Sequence, residues 1–221
     1  AIPSAQISYG NLHGNVISSN TSKTKIITGK LLLSNAHIII PSAGLTFTGF
    51  TSKMNTSNGI LRTKTLVNIA NKYAAITSTT NLSTNNYITK AFIDGENILV
   101  YNSPEYRIFA SPHLVMNASS KKVTITGNIF VPKANIKPNQ DPGYISLPLE
   151  DIQYIGDSNV SHFHIPFYTN VKVNLDKKNI NLDTFGIKGK LTGTASLIKS
   201  PNKPFIVNGS LSLIKGTYLT Y

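Results

Sequence analysis

From Phe185 to Tyr221 apolar and polar residues alternate almost without interruption, and the pattern is written twice: FGIKGKLTGTASLIKSPNKP, then FIVNGSLSLIKGTYLTY. At period two, Phe185, Ile187, Gly189, Leu191, Gly193, Ala195 and Leu197 share one face, and Lys188, Lys190, Thr192, Thr194 and Ser196 share the other, which predicts a strand apolar on one side. The second copy sets Val207, Gly209, Leu211 and Leu213 against Asn208, Ser210 and Ser212. Between them, Ser200-Pro201-Asn202-Lys203-Pro204 carries two prolines and an Asn, which a helix or central strand would not accept, so the copies form a hairpin.

The same pattern recurs earlier. Ile27, Gly29, Leu31 and Leu33 form one copy, and Val123, Ile125, Gly127, Ile129 and Val131 another; each puts Gly in the middle of the apolar face. A small residue follows seven positions after the Gly in three cases: Gly29 to Ala36, Gly127 to Ala134 and Gly209 to Gly216. Gly inside a strand marks a bend, a bulge or a close backbone approach, and repeats of this kind signal stacked units that cannot bury their faces alone. Alternation continues through Leu45-Thr46-Phe47-Thr48 and Ile98-Leu99-Val100, with Asn58-Gly59 and Asp94-Gly95 read as hairpin turns. Leu66 to Ala75 has helical spacing but is rich in Val, Ile and Asn without a clear cap, so it is read as strand. Pro132 to Pro148 is the main interruption, a loop or sheet edge where two subdomains would part; otherwise the chain reads as a single domain. The result is roughly a dozen antiparallel strands with almost no helix to cover their apolar side. Such a sheet must fold over on itself, close into a barrel, or be filled from outside.

Composition narrows this little. A chain of 221 residues can bury a sizeable core, and the absence of cysteine removes disulfides and thiolate metal sites while leaving the redox compartment open. No apolar run has the length of a membrane span and Ala1-Ile2-Pro3-Ser4 lacks a signal peptide's features, so this stretch is expected to be soluble, with any export signal or anchor outside it. The net charge of +12 comes almost wholly from lysines scattered on polar strand faces, with only Arg62 and Arg107 beside them; a solvated outer face is expected, not a nucleic-acid surface. Candidate chemistry is thin. His162 and His164 share a strand side but lack a third ligand, and Glu150-Asp151 are adjacent and so face opposite ways. Neither a Gly-x-Ser-x-Gly elbow nor a phosphate loop is present, so no enzyme, no cofactor and no metal site is expected.

The terminal hairpin resembles the C-terminal domain of the TamB family, whose pattern there is a Gly-Leu-x-Gly strand, a proline turn, then Gly-x-Leu-x-Leu-x-x-Gly-x-Tyr. Gly193, Gly209, Leu211, Leu213, Gly216 and Tyr218 fall on it. Asn102-Ser103-Pro104-Glu105 leading to Ala110-Ser111-Pro112-His113-Leu114, and the stretch from Gly127 to Pro138, resemble the same family in the same order, so the likeness runs from about Asp94 to Tyr221. From Ala1 to Thr89 only the general repeat agrees. The chain differs in having His113 where an acidic residue is common, and in stopping at Tyr221 where the family continues, which gives the expectation of a fragment.

The resemblance implies an inner-membrane-anchored protein of the Gram-negative periplasm that works with a TamA-like outer-membrane barrel, contacted near or beyond the C-terminal end. It also implies kinship with the wider AsmA-like group, whose long curled sheets carry phospholipid along an apolar groove, and support of outer-membrane protein and autotransporter assembly. The expected fold is therefore all-β: a long curled antiparallel sheet folded over on itself like a taco around an apolar groove. Its lining for phospholipid acyl chains would be Leu31, Leu33, Phe47, Val123, Ile125, Ile129, Val131, Val171, Val173, Leu175, Ile187, Leu191, Leu197, Val207, Leu211 and Leu213. The glycines Gly29, Gly127, Gly189, Gly193 and Gly209 would let the sheet bend and leave width for the guest. The alternative is a structural β domain of a surface adhesin or passenger protein whose apolar face is closed by its own second layer.

Overall fold

A computed structural model describes residues 6–20, 25–41, 44–83, 87–138, 165–201 and 203–218. Thirteen strands make one sheet: β1 (Gln6–Asn20), β2 (Lys25–Ile40), β3 (Leu45–Ser57), β4 (Ile60–Ile69), β5 (Lys72–Asn81), β6 (Ile88–Gly95), β7 (Ile98–Asn102), β8 (Tyr106–Ser119), β9 (Val123–Ile136), β10 (Phe167–Leu175), β11 (Ile180–Thr184), β12 (Ile187–Lys199) and β13 (Ile206–Tyr218). Across the sheet the order is β1-β2-β3-β4-β5-β6-β8-β9-β10-β12-β13, with β1 and β13 at the two edges. All neighbours are antiparallel except β9, which runs parallel to β10 and β11.

Short turns set most of the registers. Asn58-Gly59 joins β3 to β4 with both residues at positive φ, 50° and 72°, the type I′ geometry that suits the strand twist. Ala70-Asn71 does the same between β4 and β5, where the Asn71 N–H donates to Asn68 Oδ1 at 3.1 Å, so the stretch read as strand is a hairpin. Phe185 departs from the expectation. It stands with Gly186 in a third such turn, at φ 47° and 76°, and not on the face of Ile187.

The breaks fall where proline cannot give an N–H to the ladder. Asp94-Gly95 is not a hairpin turn: both residues end β6, and β7 continues in line with it along the same side of β8. The β6 ladder stops at Asp94 opposite His113, one residue before Pro112, and after Glu96 the Asn97 N–H donates instead to Ser111 Oγ at 2.9 Å. Pro132 is likewise inside a strand. It lies where pairing of β9 passes from β10 to β11, with Asp176 N–H on Val131 O at 3.0 Å and Ala134 N–H on Asn179 O at 3.1 Å. The interruption placed at Pro132 therefore begins only after Ile136. Pro142, Pro148, Glu150-Asp151, His162 and His164 lie outside the described residues.

Register shifts gather at one end of the sheet. They occur between Ile7 and Asn11, Leu33 and Ile38, Thr48 and Thr51, Phe109 and Ser111, and Lys188 and Lys190. Bulges increase twist and bend, so that end coils, and there β7 also packs against β3 and β5. Both buried clusters sit at this end: Leu45, Val67, Ile69, Ala74, Ile98 and Leu99 in one, Val131, Ala134 and Ile180 in the other.

Candidate functional site: the shared apolar face

Residues opposite one another in a ladder project to the same side, so the register gives the composition of each face. One rung crosses all eleven strands of the main order: Leu12, Leu33, Ser52, Thr65, Ile76, Ile93, Leu114, Gly127, Val171, Leu197 and Val207. The next rungs toward the coiled end align Ile129, Val173, Ala195 and Gly209, then Val131, Leu175, Gly193 and Leu211, and finally Leu191 with Leu213. Toward the other end Leu31 joins Met54, while Ile125 and Val123 join Thr169 and Phe167. The residues read from the alternating pattern thus meet on one side. Phe47 stands apart in the first buried cluster, and Ile187 lies beyond the β12/β13 bulge opposite Tyr218.

Burial along this face is uneven. Val131 and Val171 are buried, and Leu31, Leu33, Val123, Ile125, Ile129, Val173, Leu175, Leu191 and Leu197 are half-buried. At the β13 edge Val207, Leu211 and Leu213 are 66%, 58% and 45% exposed, and at the β1 edge Leu12 is 63% exposed. Among the described residues the strands belong to one sheet, which curls until β7 packs on β3 and β5 at the coiled end and covers this side there, while the two edges stay exposed.

The glycines have a definite role in bending. At Gly127 (φ 134°) and Gly193 (φ 143°) a Cβ would stand 2.2 Å from His113 O and 2.0 Å from Ser210 O, on the backbone of the neighbouring strand. The space a side chain would fill is taken by the adjacent strand, so these positions let strands press together and coil. They do not leave a void. The width expected from them is absent at Gly29 and Gly209 too, where a Cβ would meet Asn15 O and Thr194 O.

Register also shows what the repeat is. In β1/β2 Gly14 faces Leu31 and Val16 faces Gly29; in β12/β13 Gly193 faces Leu211 and Ala195 faces Gly209. The likeness extends to the bulges, where Asn35 and Lys215 have φ of 53° and 51° and precede Ala36 and Gly216, against which Gly10 and Gly189 pack. The two hairpins that end the sheet are one unit used twice.

Sequence reading missed a polar band on the same face. In β3 to β6 it carries Ser52, Thr63, Thr65, Ser78, Thr80 and Thr89, with Ser52 Oγ 2.9 Å from Thr65 Oγ1 and Thr80 Oγ1 2.9 Å from Thr89 Oγ1. These strands are polar on both sides, so alternation could not tell the faces apart; only pairing with Leu33 and Leu114 does. Among the described residues no group of three or more His, Asp or Glu could hold a metal, and no helix is long and apolar enough to cross a membrane.

One mostly antiparallel thirteen-stranded sheet, apolar on one side and curled by glycines and bulges, defines an all-β protein of the curled-sheet kind. Residues 52–221 match the TamB C-terminal domain, and the chain belongs to that family. The match begins well before the motif-bearing stretch, within β3; β1 and β2 lie outside it. No solved structure matches the chain.

Proposed function

We propose that this chain shields lipid acyl chains on its apolar face as part of a TamB-like bridge across the periplasm, and that it serves transport of phospholipid between membranes and assembly of outer-membrane proteins with a TamA-like barrel. Membership of the TamB family supports the assembly role and the periplasmic setting. The observation that carries the lipid reading is the apolar side chains left exposed at both edges of this face, Val207, Leu211 and Leu213 on β13 and Leu12 on β1. An acyl chain of ~16 carbons costs on the order of 12 kcal/mol to hold in water at ~0.8 kcal/mol per CH₂, so a carrier needs a continuous apolar surface, not a pocket. Nothing in such transfer requires bond chemistry.

Native mass spectrometry of the purified protein, followed by extraction, is expected to show co-purifying phospholipid or detergent. A lipid-free protein whose apolar face takes up no apolar dye even when phospholipid is supplied would instead support a structural β domain of the adhesin or passenger kind.

A further inference from the structure

The side opposite the apolar face carries a different signal. The first acidic residue of the chain is Asp94, so every lysine and arginine before it lacks a carboxylate on its own stretch of chain. The register collects five of these cations on two adjacent rungs of β2 to β6. Lys30, Asn55, Arg62, Thr79 and Lys90 align in one, and Lys53, Lys64, Thr77 and Phe92 in the other. All five are exposed, and no ion pair involves them among the described residues. Lys53 and Lys64 are directly opposite each other, an arrangement that destabilises a sheet unless an anion is supplied. The nearest acid on this side, Asp94, is already paired with His113 Nδ1 at 3.0 Å.

A second feature indicates what supplies the charge. Leu66, Ile88 and Phe92 are 42%, 59% and 42% exposed on this same side, and Lys90 Nζ stands 5.2 Å from the Phe92 ring centre. Cationic heads around exposed aliphatic and aromatic groups are what a membrane interface takes up. The patch spans five strands, roughly 20 Å at about 4.8 Å per strand, and is spread over two rungs, so it matches a surface better than a single polyanion track. Four of its five cations are lysines, which attract phosphate as point charges and lack the forked readout that Arg gives to nucleic acid.

We propose that the outer face of β2 to β6 docks on a bilayer surface rich in anionic phosphate headgroups, laying the sheet along the membrane with its apolar side turned away. This does not depend on what the apolar face carries. Flotation with vesicles of phosphatidylglycerol and phosphatidylethanolamine should recover the protein, and vesicles of phosphatidylcholine alone should not. High salt should abolish the binding. Replacing three cations together, Lys53→Gln, Lys64→Gln and Lys90→Gln, should weaken partitioning on the order of a hundredfold, since each basic group near an anionic surface is worth a factor of roughly five. Lys177→Gln, Lys178→Gln and Lys203→Gln remove the same charge elsewhere and should leave most of it, and the three Lys→Arg replacements at 53, 64 and 90 should bind as the unaltered protein does. Equal loss in both Gln triples, equal binding of the unaltered protein to phosphatidylcholine, or tighter binding of single-stranded DNA than of vesicles would each overturn the proposal.

Discussion

At the scale of single residues the two sides of β13 make the sharpest contrast. Leu211 shares its side with Gly193 and Leu175, whereas its neighbour Ser210 projects the other way opposite Thr194. Leu211→Asp should therefore reduce lipid capture strongly and Ser210→Asp hardly at all, and photo-crosslinking probes at 210 and 211 should label lipid unequally. Equal labelling would sink the lipid reading of this face. Gly193 supports a different prediction, one of stability. A Cβ there would press on Ser210 O while φ stays at 143°, a conformation that L residues rarely adopt, so Gly193→Val should destabilise the fold by about 2–4 kcal/mol. Thr192→Val, one residue earlier at a half-buried position, should change the melting temperature far less.

Strands and hairpins were legible wherever one side is apolar and the other polar, as in β12 and β13, because period two then reports the side as well as the strand. The turns were legible where Gly follows Asn, at Asn58-Gly59, and not where Ala70 or Phe185 takes a positive φ that the pairing of its flanking strands imposes. The in-line pairs β6/β7 and β10/β11 could not be foreseen: each depends on a proline in another strand, Pro112 or Pro132, and so on which strands are neighbours. The apolar half of the candidate face was readable for the same reason as its strands, and the hydroxyl band of β3 to β6 was not. The outermost strands raise a further expectation. β1 is fifteen residues long, pairs among the described residues with β2 alone, and contains neither Lys nor Pro, the usual guards of a sheet edge. The protein should associate edge to edge at high concentration, and Ile17→Lys, at a position 67% exposed, should suppress this without lowering the melting temperature. Light scattering that shows strict monomers, or no difference between the two proteins, would contradict it.

For the whole molecule, the single sheet is held together mainly by contacts between neighbouring strands, with β7 closing on β3 and β5 at the coiled end, so its stability is largely a sum of local terms. Its two buried clusters draw on different strands. One takes Leu45, Val67, Ala74 and Leu99 from β3, β4, β5 and β7; the other takes Val131, Ala134 and Ile180 from β9 and β11 and packs Val173, Leu175 and Leu191 against them. Unfolding should therefore be less than fully cooperative. Reporters placed as Phe50→Trp beside the first cluster and Leu175→Trp beside the second should give urea midpoints that differ. The rungs through Gly127, Ile129 and Val131 are apolar from β9 to β13, with Thr169 and Lys199 breaking only the next one, whereas hydroxyls interrupt several through β3 to β6. A bound acyl chain should therefore stabilise the half that contacts it, by about 2.7 kcal/mol at a hundredfold excess over the dissociation constant. Added phospholipid is expected to raise the midpoint reported near Leu175 and to leave that near Phe50 almost unchanged. Superimposable transitions that both ignore phospholipid would mean that the sheet folds as one unit and that its apolar side carries no guest.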